Sequence, residues 1–314
     1  MNRPFALAVL LVVAALPAPA MAQNRDRDRD RDRDRDEDYE SVIDTTFAFD
    51  RRGTVSLSVG SGEIIVRAWN RDQIRVRARS ERATIRMDAS SSRLTLDLSR
   101  PRGGDTRFEL DVPVGVRVSA RATNGDISIT GTKGGVEART QSGDLAIEDA
   151  ADMIDLGSLS GDIIARGLQG NVEVNAVSGD VTLSDVKGDV EATSVSGEID
   201  LRTIVARYVR AKSTSGDVTY DGTVDSTGRY ELGSHSGSVY LVIPETTGAM
   251  LTVATYTGSI ESDFPITLLP GEHGIGSGAK RFTFAIGKGD ARVSAESFSG
   301  DITIRSKNRR VTDR

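Results

Sequence analysis

Residues 142–201 read SGDLAIEDAADMIDLGSLSGDIIARGLQGNVEVNAVSGDVTLSDVKGDVEATSVSGEIDL. Ser142-Gly143-Asp144, Ser160-Gly161-Asp162, Ser178-Gly179-Asp180 and Ser196-Gly197-Glu198 recur at 18-residue intervals, and Asn124-Gly125-Asp126 opens the series. Midway between them stand Gly134, Asp152, Gly170 and Gly188, so the step is nine residues. Two residues after each midpoint or corner come Ile127, Val136, Leu145, Ile154, Ile163, Val172, Val181, Val190 and Ile199. Two residues further on come Ile129, Ala138, Ile147, Leu156, Ala165, Val174, Leu183, Ala192 and Leu201, and the position between is mostly polar. Apolar residues at alternate positions mark strands with one buried face. Glycine before each strand permits a tight corner. Nine residues make one short strand and a turn, and 18 make a coil of two. Coils that repeat the same inward phase must stack in parallel, about 4.8 Å apart. The fold class is all-β, a parallel two-sheet β-solenoid of about 18–21 residues per coil.

Outward from this stretch the beat loosens. Ser215-Gly216-Asp217 follows 19 residues on, Ser236-Gly237-Ser238 and Thr257-Gly258-Ser259 at steps of 21, and Ser299-Gly300-Asp301 after 42. These longer coils are expected to carry loops, including a glycine-rich excursion at 268–280. Upstream, apolar segments at 55–59, 63–69, 73–78, 94–98 and 108–112 lack the strict period. Residues 42–122 are read as an irregular N-terminal β cap, needed because a bare solenoid end is an open strand edge. The repeats proper span 123–306, and 307–314 is read as a flexible tail.

Among the 314 residues there is no cysteine and there are only two histidines, His235 and His273. That rules out disulfides, thiolate zinc sites, a catalytic thiol and a multi-histidine metal cluster. Net charge is −6, which argues against nucleic acid as a partner. Residues 1–22 read as a signal peptide: Arg3, an apolar run over 5–16, and Ala20-Met21-Ala22 before a cleavage between Ala22 and Gln23. The run is too short to span a bilayer, and no later stretch would span one. Residues 23–41 hold six Arg-Asp pairs at 25–36 and read as a solvated linker. The expectation is an exported chain, periplasmic, surface-bound or extracellular.

The repeated Ser-Gly-Asp/Glu followed by apolar alternation resembles the bacterial β-strand-repeat family of candidate adhesins, exported proteins built on a domain of unknown function. The likeness extends to LDVPVG at 110–115, which leads through Val116, Val118 and Ala120 into the Asn124 corner. A later echo, VIPETTG at 242–248, leads into Thr257-Gly258-Ser259. It spans roughly 42–308. The resemblance implies a secreted parallel β-solenoid with a surface or adhesion role, and brings no catalytic residues.

Three residue sets are candidate sites. Asp126, Asp144, Asp162, Asp180, Glu198 and Asp217 form an acidic corner row about 5 Å apart, where like charges repel. Calcium between coils would relieve this with hard oxygen ligands. The competing reading, favoured by turn chemistry, is that each carboxylate caps nearby backbone N–H groups. Glu137, Asp155, Glu173, Asp189 and Glu191 face outward on the other sheet with only Arg139 opposing, a surface for a basic partner or merely a solubilising face. Five tyrosines fall between 208 and 256. By the repeat phase Tyr220 and Tyr256 point inward into a widened core, leaving Tyr240, with Tyr230 second, as ligand-facing. His235 is placed at an inward phase, and His273 in the excursion. The stretch 271–278 lacks the phosphate-loop pattern. No cofactor is implied. The functional reading is a non-catalytic scaffold or adhesin binding an envelope, glycan or protein partner. The alternatives are a carbohydrate-active parallel β-helix enzyme and a periplasmic envelope sensor.

Overall fold

The computed structural model describes residues 41–99, 104–265 and 280–307. The signal peptide, its cleavage point, the Arg-Asp pairs, His273 and the tail beyond 307 lie outside them. The described residues form 24 strands and no helix, all within the unit 38–314.

The central coils follow from the sequence period. Strands approaching the Ser-Gly-Asp corner, such as Ala151–Ser160, Gln169–Ser178 and Val190–Ser196, stack in parallel on one face. Strands leaving it, such as Leu145–Glu148, Ile163–Arg166 and Val181–Lys187, stack in parallel on the other. Ile154 pairs with both Val136 and Val172, so the register is one 18-residue coil. All 18 residues of the two apolar rows are buried and join one continuous core. The coil widens where the beat loosens. Tyr220 and Tyr230 are buried there with rings 5.7 Å apart, edge to face. Tyr220 Oη donates to the Thr223 carbonyl at 2.6 Å, and Tyr230 Oη to the Ala206 carbonyl at 2.6 Å.

Both ends depart from chain order. At the N-terminal end Thr54–Trp69 lies between Arg117–Thr130 on one side and Arg93–Ser99 with Thr106–Pro113 on the other, parallel to each. Arg93–Ser99 and Thr106–Pro113 therefore lie outside Thr54–Trp69 in the stack although 54–69 precedes them. At the C-terminal end Ala291–Ser297 and Ile302–Ser306 slot between Arg229–Ser234 with Val239–Ile243 and Ala249–Thr255 with Ile260–Ser262. The 42-residue interval is thus not a long coil. The last coil has been inserted before its predecessor. Antiparallel strands then cover the ends: Gln73–Ser80, Ser41–Ala48 and Thr84–Ala89 at one, Lys280–Ile286 at the other. An antiparallel strand laid at each end covers the open parallel edge.

Candidate functional site

The Ser-Gly-Asp corner carries four parallel ladders, each with one residue per coil. The first is backbone. A Cβ on Gly179 would lie 2.3 Å from the Gly161 carbonyl oxygen, and one on Gly237 would lie 2.3 Å from that of Gly216. Gly179 has φ +124°, while Gly237 is outside the left-handed region, so what the row shares is the close approach of coils.

The second ladder is the acidic row. Asp126 Oδ1 accepts the Asp144 N–H at 2.9 Å, Asp144 that of Asp162, and Asp162 that of Asp180, both also at 2.9 Å. Asp180 accepts the Glu198 N–H at 2.8 Å, and Asp217 that of Ser238 at 2.7 Å. Each of these aspartates holds the equivalent residue of the next coil, whereas Glu198 is held by Asp180 and accepts no such bond itself. Asp301, in the inserted coil, accepts the Ser259 N–H at 2.7 Å and its hydroxyl at 2.8 Å, which together hold its carboxyl below the usual range. Among the described residues no three acids or histidines converge as a cation site.

The third ladder went unread in the sequence. Three residues before most corner glycines stands a buried small hydroxyl: at Thr140, Ser213, Ser234, Ser297 and Thr255, and at Ser158 and Ser194, which find no partner, while Ala122 and Ala176 fill the place before Gly125 and Gly179. Thr140, Ser213, Ser234, Ser297 and Thr255 each donate to a corner-glycine carbonyl of the adjoining coil, at 2.8–3.1 Å. The signal was present as Ser or Thr recurring at that offset.

The fourth ladder lies two residues before the glycine and faces solvent. Leu159, Val177, Val195, Phe298 and Tyr256 are 43–53% exposed, with Thr214 and His235 between them in the stack. The rings of His235 and Phe298 stack at 4.8 Å, and those of Phe298 and Tyr256 at 5.0 Å. This corrects the expectation that Tyr256 and His235 point inward. Alternation was carried straight through the glycine, but the corner shifts its parity. Before the glycine the inward residues are at odd offsets, after it at even ones. The same shift buries Tyr230, removing it as a ligand-facing residue. Tyr240 is exposed on the leaving sheet.

The outward acids are less bare than the spacing implied. Glu137, Asp155, Glu173 and Glu191 do stack in one row. Glu137, however, is paired by Arg139 and, at 2.5 Å, by Arg121. Arg139 also reaches Asp155 at 2.5 Å, and Arg210 reaches Glu191 at 3.6 Å. The expectation of a single opposing arginine missed Arg121 and Arg210, which come from neighbouring coils 18 and 19 residues apart in register. Asp189 lies off this row and accepts the Tyr208 N–H at 3.0 Å. It lines a shallow pocket of about 310 Å³ with Asn171, Arg207 and Asp225. Asp225 is itself held below the usual carboxylate range by the N–H and hydroxyl of Thr227.

The profile of a family described as Toastrack DUF4097 matches residues 53–305. Solved structures similar to the chain include a candidate adhesin from Bacteroides fragilis, 13% identical, covering 85% of this chain and 99% of that one, with a TM-score of 0.37. Another is a candidate adhesin from Parabacteroides distasonis, 11% identical, covering 84% and 97%, with a TM-score of 0.40. A candidate lipid-binding protein from the same species is 9% identical, covering 85% and 97%, with a TM-score of 0.28. No curated protein matches the chain significantly.

Proposed function

The chain belongs to the Toastrack DUF4097 family, and from that premise we propose that it is a non-catalytic binding scaffold of the cell envelope, exported by the segment read at 1–22. The observation that carries the reading is how the polar groups are used. Corner aspartates and most inward hydroxyls are spent on coil-to-coil hydrogen bonds, while among the described residues the outer rows repeat over many coils without a deep cleft. Extended regular faces suit contact with a long partner better than chemistry, which needs convergent groups in a concavity. Among the described residues the pocket beside Asp189 is a place where the carbohydrate-active alternative would sit, and both its carboxylates are already engaged by backbone N–H groups. Tyr240 and the row from Glu137 to Glu191 are the contact residues proposed for the two outer faces.

The test is a binding assay of the full chain against envelope fractions, run with a polysaccharide depolymerisation assay and external protease on intact cells. Retention on envelope material without depolymerisation is expected, and trypsin should cut at 25–36 wherever that segment is outside the cell. Release of reducing ends that disappears in Asp189→Asn or Asp225→Asn would replace the scaffold with an enzyme.

A further inference from the structure

The solvent-facing apolar ladder has no role in the fold, because its side chains point away from the core. Exposed apolar residues scattered singly need no explanation, whereas contiguous ones mark contact sites. Here Leu159, Val177 and Val195 succeed one another on adjacent coils, and past Thr214 the row continues as His235, Phe298 and Tyr256. From Leu159 to Tyr256 is six coil steps, about 29 Å at the usual strand spacing.

Beside this row, across the glycine, runs the acidic ladder. Among the described residues Asp162, Asp180 and Glu198 form no ion pair, unlike Glu137, Asp155 and Glu191 on the sheet. Only Oδ1 of Asp162 and Asp180 is occupied, by the next coil's N–H, so a second oxygen on each faces outward. The corner therefore carries two parallel lines, an apolar one interrupted at Thr214 and His235 and an acidic one interrupted at Ser238 and Ser259, with carboxylates outside any ion pair from Asp162 to Glu198.

We infer that this corner binds a cationic amphipathic helix lying along the stacking axis. The inference rests on the scaffold reading above and names the face and partner. A helix of that kind carries the complementary pair of lines: an apolar row and a flanking Lys/Arg row, each with about one residue per turn. Its pitch of about 5.4 Å is close to the coil spacing of about 4.8 Å, so the two drift apart by less than one coil, about 3.6 Å, over six coils. The charge match favours such a helix over an anionic membrane surface. The aromatic end argues against a sugar stacked on ring faces. Phe298 is covered on both faces by His235 and Tyr256, leaving ring edges outward.

The probe is an 18-residue synthetic Leu/Lys helix, fluorescently labelled and titrated with the full chain by anisotropy at low and physiological salt (roughly two Debye regimes). Binding should weaken about tenfold in Val177→Ser/Val195→Ser. It should weaken similarly, with a flatter salt dependence, in Asp162→Asn/Asp180→Asn, where the amide oxygen still accepts the neighbouring N–H. Asp88→Asn/Glu245→Gln, exposed acids off both the corner and the outer-face rows, should stay within about twofold. Thermal unfolding of each variant confirms that the coil is retained. No binding by the unaltered chain, equal binding by the ladder variants, or equal binding of a Ser/Lys helix without an apolar face overturns the inference. Envelope retention that survives the ladder substitutions overturns it while leaving the scaffold reading in place. Absence of envelope retention in the unaltered chain removes that reading itself.

Discussion

Gly179 sits at φ +124° with the Gly161 carbonyl where its Cβ would be, so Gly179→Ala meets both a strained backbone and a steric clash. We expect it to cost more than about 2 kcal/mol, read by denaturant unfolding. The converse case is Thr203, a β-branched residue at φ 56°. It falls where the register between Ile199–Val205 and Val218–Gly222 shifts by one residue. The same corner one, two and three coils earlier is filled by Asp185, Gly167 and Asp149, all at positive φ. A side chain branched at Cβ is the worst of these fits. Thr203→Gly should therefore stabilise the protein by about 1 kcal/mol, raising Tm; an unchanged or lower Tm would show that the bulge is held by its threonine.

At the scale of a coil, stability rests on whether polar groups are satisfied between neighbours. Tyr230 Oη accepts the Asp225 N–H at 2.8 Å while donating to Ala206. Tyr230→Phe strands both partners in a buried setting and should cost about 1–3 kcal/mol. Burial also raises the pKa of Tyr220 and Tyr230. Groups with folded pKa values above their unfolded ones contribute stability that is complete below the unfolded value and is lost as pH rises. The protein should accordingly weaken above about pH 10. The carboxylates behave oppositely. Arg229 holds Glu231 below its ordinary value. Burial works to raise Glu109, but Arg107, Arg77 and Arg67 together bring it below. Thr227 lowers Asp225 and Ser259 lowers Asp301. Their contribution is present above the unfolded carboxylate pKa of about 4 and is lost as pH falls through the lower folded values. Melting curves across pH should show a plateau with both flanks; a flat acid side would mean these pairs contribute nothing net.

For the molecule as a whole, the interleaved ends change how it should unfold. A stack with only nearest-neighbour contacts frays from its termini. Here the coil at 249–262 is reached only past the inserted coil at 291–306, and the strands Arg93–Ser99 and Thr106–Pro113 only past Thr54–Trp69. Neither outer coil can leave without exposing one that is covalently distant. Native-state hydrogen exchange should therefore show amides of Arg229–Ser234 and Val239–Ile243 protected as well as those of Gln169–Ser178. Graded protection declining from the middle outward would contradict this. Val293, buried in the inserted coil, is a direct probe: Val293→Ala should lower protection in both Arg229–Ser234 and Ala249–Thr255.

The nine-residue step determined the central coils, their inward rows and their corner glycines, because each was set by an unbroken local period. It also held the resemblance that the family match over 53–305 carries. What tertiary structure alone decided was everything that depends on which coil lies beside which. Chain order could not show Gly300 resting on Gly237 and Gly258 resting on Gly300, since pairing is a contact between strands distant along the chain. Nor could it show which acids meet an arginine, because Arg121 and Arg210 reach theirs from other coils. The exposed row from Leu159 to Tyr256 was hidden for a geometric reason. A corner adds an odd turn to the strand's alternation, so residues that parity placed in the core emerge on the surface.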